Sequence, residues 1–236
     1  MNAAHPSVPL HRHPAPHREL ARRYRHYASQ QEFRVSVLLA ALTFIASVIV
    51  VGYAIGYATE SASNAVTDII LSNTPAFDVD ALFVYGTGLL VIFIIGLLFV
   101  HPKRIPFTLH GLALFYFIRA GFISLTHLGP FPTHTTGNFD FGTITTHLFF
   151  GGDLFFSGHV GVTFLLALIF WKEKNIRTIF LAWSIYFGAV VLLGHLHYSI
   201  DVASAFFITY GIYHIAEWLF PKDRALFYSD MPAEVR

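Results

Sequence analysis

The sequence predicts an all-α integral membrane protein with six transmembrane helices and both termini in the cytoplasm. The chain has 236 residues, of which 55% are hydrophobic and only 12% are charged, whereas soluble domains carry about 25% charged residues. The apolar residues are concentrated in long runs, and the basic residues lie almost entirely between alternate runs. These two patterns indicate both the class of protein and its orientation.

Six apolar runs are long enough, or nearly long enough, to cross a bilayer, which takes about 20 residues of helix. The fourth and fifth runs are the shortest. We expect the six to form one membrane domain over residues 35–220, and they are 35–57, 81–100, 106–126, 155–171, 178–195 and 199–220.

The basic residues predict the direction of these runs, because cytoplasmic loops are enriched in lysine and arginine. The connections 58–80, 127–154 and 196–198 contain no basic residue. We therefore expect these three connections on the non-cytoplasmic side of a bacterial inner membrane or a plasma membrane.

The two flanking segments are expected to be cytoplasmic tails. Residues 1–34 are rich in histidine, proline and arginine and are predicted to be largely disordered. Residues 19–32 can form a short basic helix against anionic headgroups, and a solvated tail is the alternative. Residues 221–236 form the second tail.

The composition also excludes several functions. Without cysteine, the chain has no disulfide, no thiolate metal site and no cysteine nucleophile. A net charge of +1 gives no reason to expect a nucleic-acid partner. No cofactor is expected. His214 lies three residues before Glu217, close to the cytoplasmic side, and we expect these two to form a structural pair.

Arg119 is the one basic residue inside an apolar run. An arginine at the centre of a span costs about 2.5–3.5 kcal/mol on insertion scales, and less near an interface. It could snorkel to the outer headgroups or pair with a carboxylate. The functional interpretation is a guanidinium that binds an anion.

The sequence GGDLFFSGH occupies residues 151–159, at the outer start of the fourth run. A helix N-terminus presents free N–H groups to a phosphate. Gly158 would let a ligand approach the backbone, and Ser157 could cap the helix or donate to a phosphate oxygen. An ordinary glycine-rich helix entry is the alternative.

His197 and Asp201 are four residues apart, with His197 just before the sixth run. If the sixth helix starts at His197, the two side chains lie on one face. The carboxylate can then hold the imidazole in one tautomer and leave its other nitrogen free to attack. A structural hydrogen bond is the alternative. A phosphoryl transfer through a covalent intermediate further requires a second histidine for the leaving oxygen and donors for the equatorial oxygens.

These motifs resemble the sphingomyelin synthase-related branch of the type 2 phosphatidic acid phosphatase superfamily. The resemblance covers roughly residues 81–220. It rests on three stretches. The first is an arginine-containing segment that ends near a proline, from Arg119 to Pro130. The second is Gly152-Asp153 followed by Ser157-Gly158-His159, and the third is the His-Tyr-Ser-Ile-Asp-Val stretch from His197 to Val202.

The resemblance implies a six-span fold with an outward-facing site. His197 would be the nucleophile, Asp201 its partner, and His159 the acid and base on the leaving group. Arg119 would bind the substrate phosphate, and we expect Ser157 and Gly158 beside it. Asp153, His195 and Tyr198 are expected to lie behind these residues and support them.

The predicted function is transfer of a phospho-headgroup from a membrane phospholipid to a lipid alcohol, ceramide or diacylglycerol, through a phosphohistidine. The same intermediate resolved by water would give a lipid phosphatase or a phospholipase C-like hydrolase. Two other classes remain open, a transport protein and a metal-binding protein. The metal would be held by four histidines that lack a compact ligand spacing, and no metal is expected; they are His127, His134, His147 and His195. The sequence leaves the oligomeric state open.

Overall fold

The structure is a computed structural model that describes residues 16–134 and 154–229. Every regular element in these two stretches is helical. Short 3-10 turns over Leu71–Asn73 and Pro102–Arg104 lie between the α-helices. The helices are α1 (Pro16–Ser29), α2 (Gln31–Glu60), α3 (Asp80–Val100), α4 (Ile105–Leu125), α5 (Gly158–Ile169), α6 (Lys174–Leu193), α7 (Ser199–Leu219) and α8 (Pro221–Tyr228).

Each of the six predicted apolar runs contains a helix, α2 to α7, but only four helices are long and apolar enough to cross a membrane. These are α2, α3, α4 with its preceding turn, and α6. The 12 residues of α5 rise about 18 Å, against a hydrocarbon core of about 30 Å. The 21 residues of α7 are long enough, but Asp201, His214 and Glu217 lower its hydropathy. The fold is therefore a helical membrane protein with four candidate spans, and the count of six stays a prediction.

The outward faces of α2 and α3 are apolar. Leu38, Ile92 and Ile95 are 59%, 69% and 63% exposed, and in water such a surface would be unfavourable. In a bilayer it faces lipid tails, which agrees with the membrane class.

The short helix α5 is the centre of the bundle. All residues from Leu165 to Ile169 are buried, and α5 packs against α4, α6 and α7. Gly161 makes the contact with α4 close, because a Cβ there would lie 2.6 Å from the ring of Phe115. A helix surrounded by other helices does not need to match the thickness of the bilayer.

The connection between α2 and α3 folds over the start of α7. The N–H of Ser63 donates to the carbonyl of His127 at 2.9 Å, and that of Phe77 to the carbonyl of Leu193 at 2.8 Å. This connection thus covers one end of the bundle, which also holds Arg119 and His197. We call it the site end.

The N-terminal tail contains a helix, and the expected contact near the other tail is present. The basic helix α1 begins and ends three residues earlier than the expected 19–32, and residues 1–15 lie outside the described part of the chain. Nδ1 of His214 is 2.9 Å from Oε2 of Glu217, so that predicted pair is confirmed.

Orientation can be tested with single cysteines, because the chain has none of its own. Ser72 and Lys174 are both exposed and lie at opposite ends of the bundle. We expect a cysteine at 72, but not one at 174, to react with a membrane-impermeant maleimide added to intact cells. Permeabilised cells provide the control, where both should react. Labelling of position 174 from outside would place the site end in the cytoplasm.

Candidate active site

Three segments that are distant in sequence meet at the site end: the second half of α4, residues 154–158, and the start of α7. Nδ1 of His197 lies 3.4 Å from the carbonyl oxygen of Leu154, and the N–H of Ser157 donates to the carbonyl of Asp201 at 3.1 Å. From α4, Nε of Arg119 donates to the carbonyl of Phe156 at 3.2 Å. These contacts place the N-termini of α5 and α7 side by side.

The pair formed by His197 and Asp201 is buried, with exposed fractions of 9% and 0%. One carboxylate oxygen of Asp201 lies 3.4 Å from Nδ1 of His197 and accepts the N–H of Tyr198 at 3.0 Å. Fixing Asp201 through the Tyr198 backbone aims it at Nδ1 and leaves Nε2 as the ring nitrogen available for chemistry.

Arg119 points into the bundle and is only 4% exposed. Its guanidinium carbon lies 5.9 Å from the centre of the Phe156 ring and packs on the backbone of Gly158. A Cβ at Gly158 would be 3.1 Å from Nε and 3.2 Å from Cζ of Arg119. This inward position disfavours snorkelling. The absence of a side chain at Gly158 lets Arg119 pack closely on its backbone.

His159 lies in the first turn of α5, with its ring between two phenylalanines. The ring centres of Phe83 and Phe187 are 4.4 Å and 5.2 Å away. It is close enough to His197 and Arg119 to interact with both electrostatically. The structure thus brings together the four residues to which the sequence analysis assigned chemistry.

Ser157 precedes α5, but its side chain makes no capping hydrogen bond. The capping alternative was therefore wrong, and the phosphate-binding alternative stays a prediction. The hydroxyl oxygen of Ser157 is buried without a hydrogen-bond partner among residues 16–134 and 154–229, as are the second carboxylate oxygen of Asp201 and Nε2 of His195. Buried polar atoms normally have partners, and leaving one unsatisfied costs about 1–3 kcal/mol. Similar atoms occur elsewhere in the bundle, but these three lie around His197, where a polar ligand can supply their partners.

Backbone strain is found in the same region. Among the described residues other than glycine, Phe156 and His195 have positive φ angles, of 32° and 52°. Such conformations are uncommon for bulky side chains and often occur at functional sites. In His195, Nδ1 also lies 2.6 Å from the hydroxyl of Thr133, which ties the turn before α7 to the connection after α4.

Tyr198 and Asp153 are the other two residues that were expected to support the site. The hydroxyl of Tyr198 donates to the carbonyl of Gly129 at 2.7 Å and accepts the N–H of Val66 at 3.2 Å. Tyr198 therefore fastens two loops over the site instead of facing it. Asp153 lies outside the described residues.

Asp68, in the connection between α2 and α3, was not predicted to belong to the site. One of its oxygens accepts the N–H of Ser199 at 2.7 Å, and the other accepts those of Ile70 and Leu71 at 2.8 and 3.1 Å. Burial alone would raise the pKa of Asp68, but these backbone hydrogen bonds outweigh it and hold the pKa below its usual value. Asp68 thus caps α7 two residues from His197. No local pattern marks it, because it is 131 residues from Ser199.

We expect Asp68→Asn to lower both the thermal stability and the turnover. The amide can accept at only one of the two positions, so at least one charge-assisted hydrogen bond is lost, at about 1.5–3 kcal/mol. The pKa of Asp68 is lowered in the folded state. Its charge therefore stabilises the fold fully when the pH is above 3.8, the usual pKa of the group. This stabilisation disappears as the pH falls further. Melts of both proteins should differ at pH 7 and converge in acid. A difference that does not shrink as the pH falls below 3.8 would show that the charge of Asp68 is not involved.

No group of three or more histidine, aspartate or glutamate side chains within residues 16–134 and 154–229 is arranged to hold a metal ion. His127, His134 and His195 lie in this part of the chain, whereas His147 lies outside it. The metal alternative thus has no geometric support from the three histidines that can be placed.

Comparison with known families concerns the same region. Residues 151–218 match the family model described as PAP2 superfamily C-terminal. The match supports the PAP2 superfamily and, with it, a membrane protein of the lipid phosphatase or phosphotransferase type. No curated protein and no solved structure gives a significant match.

The PAP2 match contains both halves of the histidine site. It includes Ser157, Gly158 and His159 at one end, and His197 and Asp201 near the other. Arg119 lies before its first residue. It does not distinguish the sphingomyelin synthase-related branch from the rest of the superfamily. The superfamily assignment is thus supported by the matched residues, and the finer prediction is not.

Proposed function

We propose that this protein is a membrane lipid phosphotransferase of the sphingomyelin synthase-like type, which transfers a phospho-headgroup between lipids. The observation that carries the proposal is the convergence of His197, Asp201 and Arg119 beside the N-terminus of α5. Two adjacent helix N-termini and a buried guanidinium make this a favourable place for a phosphate.

In the first step, Nε2 of His197 attacks the phosphorus of a phospholipid. A P–N bond forms, the P–O bond to the leaving lipid alcohol breaks, and His159 gives that alcohol its proton. In the second step, His159 takes the proton of an acceptor hydroxyl, whose oxygen attacks phosphorus while the P–N bond breaks. Asp201 holds His197 in the reactive tautomer, and Arg119 with the free N–H groups of α5 stabilises the charged oxygens. Neither step consumes anything beyond donor and acceptor.

Hydrolysis by the same site is the second candidate, because the PAP2 match suggests phosphatases as well as phosphotransferases. The two differ only in the acceptor. In transfer it is the hydroxyl of ceramide or diacylglycerol, and in hydrolysis it is water.

The test is turnover of headgroup-labelled phospholipids by the purified protein in nanodiscs, with and without ceramide or diacylglycerol. Phosphatidylcholine, phosphatidylethanolamine, phosphatidylglycerol and phosphatidic acid form the donor panel, and His197→Ala serves as the control. We expect label to move from a donor to the lipid alcohol. Label released only into water would favour the hydrolase, and no turnover of any donor would contradict both candidates.

A further inference from the structure

The helix α1 has two distinct sides, and one of them is built from arginine. Arg18, Arg22 and Arg25 follow one another at intervals of four and three residues, so they share one face. Arg18 and Arg25 are exposed, and Arg22 is partly buried. The other side carries partly or fully buried residues, which are Glu19, Leu20, Arg23, Tyr24 and Tyr27.

The buried side of α1 holds the helix against the ends of α2 and α3, opposite the site end. Arg23 donates to the carbonyl of Val100 at 3.2 Å, and the hydroxyl of Tyr24 donates to that of Phe99 at 3.0 Å. The rings of Tyr27 and Phe33 are 5.4 Å apart. Because α3 is a candidate span, its last residues lie at the boundary between hydrocarbon and water. The contacts therefore fix α1 at the level of the lipid headgroups.

The arginine face is also concave. Arg18, Ala21, Arg22 and Arg25 line a hollow of about 410 Å³. Ala21, with its small side chain, lies between the arginines in sequence. The acidic residue of this helix, Glu19, is paired with Arg23 on the buried side. Within the described part of the chain, no carboxylate lines the hollow.

We propose that this hollow binds the headgroup phosphate of an anionic phospholipid. Guanidinium groups can meet phosphate oxygens in pairs, and basic clusters at a membrane surface attract anionic lipids. A zwitterionic headgroup is a poorer ligand, because its ammonium group would enter the same positive field. This site is separate from the proposed catalytic site and holds whether or not that site acts as proposed.

The test is native mass spectrometry of the full chain in detergent, titrated with phosphatidylglycerol or with phosphatidylcholine. The variant Arg18→Gln with Arg25→Gln removes two exposed charges from the hollow. The matched control, Lys174→Gln with Lys222→Gln, removes two exposed charges from the same end of the bundle but away from α1. Ala21→Trp fills the hollow and keeps every charge.

Each basic residue near an anionic surface contributes about fivefold to association. We therefore expect the arginine variant to bind phosphatidylglycerol at least about tenfold more weakly, Ala21→Trp to lose affinity as well, and the lysine control to change less than about twofold. Equal loss in the lysine control, full affinity in Ala21→Trp, or equal binding of phosphatidylcholine by the natural chain would overturn the proposal.

Discussion

Replacing His197 with alanine should abolish the phosphohistidine intermediate and reduce lipid turnover by at least about a thousandfold, the scale seen when one member of a catalytic unit is removed. The reason is chemical, since alanine cannot form the P–N bond. The measurements are acid-labile labelling of the protein by a donor with a labelled phosphorus, and turnover in nanodiscs. Asp201→Asn should lose nearly as much, because Asp201 contacts Nδ1 of His197 and the two act as one unit in the proposed mechanism.

His159→Ala provides the contrast. If His159 protonates the leaving oxygen, its loss should matter least for a donor with a good leaving group, such as a p-nitrophenyl phosphodiester. His159 packs between Phe83 and Phe187, so a thermal melt must accompany the kinetics. Equal losses for good and poor leaving groups in a well-folded protein would assign His159 a structural role.

A stable phospho-enzyme formed by His197→Ala would show that His197 is not the nucleophile.

The second large effect is expected for Arg119→Lys, which keeps the charge and changes its geometry. A planar guanidinium can donate to two phosphate oxygens at once, whereas an ammonium group acts as a point charge. One charge-assisted hydrogen bond contributes about 1.5–3 kcal/mol, which corresponds to about 10- to 150-fold in rate. We expect kcat/KM to fall at least about tenfold with little change in Tm. Unchanged kcat/KM in a folded lysine variant would show that Arg119 does not bind two phosphate oxygens at once.

Gly158→Ala tests the same contact from the other side. The added methyl would lie 3.1 Å from Nε of Arg119, so the guanidinium must move by a few tenths of an ångström, and we expect kcat/KM to fall. Gly121→Ala is the matched control on α4, because a Cβ there meets nothing within 4 Å. Similar losses from both substitutions would indicate a general effect on helix packing.

Interactions within one helix were accessible from the sequence, and those between segments were not. His214 and Glu217 are three residues apart, and helical periodicity alone predicts their contact. His110 forms an equally short contact, with Nδ1 2.8 Å from Oδ2 of Asp223. These two are 113 residues apart, and no spacing rule relates them.

The same distinction applies to the candidate site. The expected contact of His197 with Asp201 is present, but the expected reason was wrong, because α7 begins at Ser199 and His197 lies in the turn before it. Ser157 and Gly158 were recognisable from their place at the start of a helix. Of the two roles considered for Ser157, helix capping is absent, because capping depends on a side-chain rotamer that the surroundings decide, and phosphate binding stays a prediction. Asp68 was missed because its role depends on the path of a loop.

The sequence by itself determined the membrane class, the positions of the helices and the residue types available for chemistry, because these depend on local hydropathy, helical periodicity and charge. Only the tertiary structure placed Arg119 against Gly158, joined the starts of α5 and α7, and put Asp68 on the backbone of Ser199. These contacts join segments that are 39 to 131 residues apart, and their geometry depends on how helices pack. That packing results from the sum of many weak contacts, so no single motif encodes it.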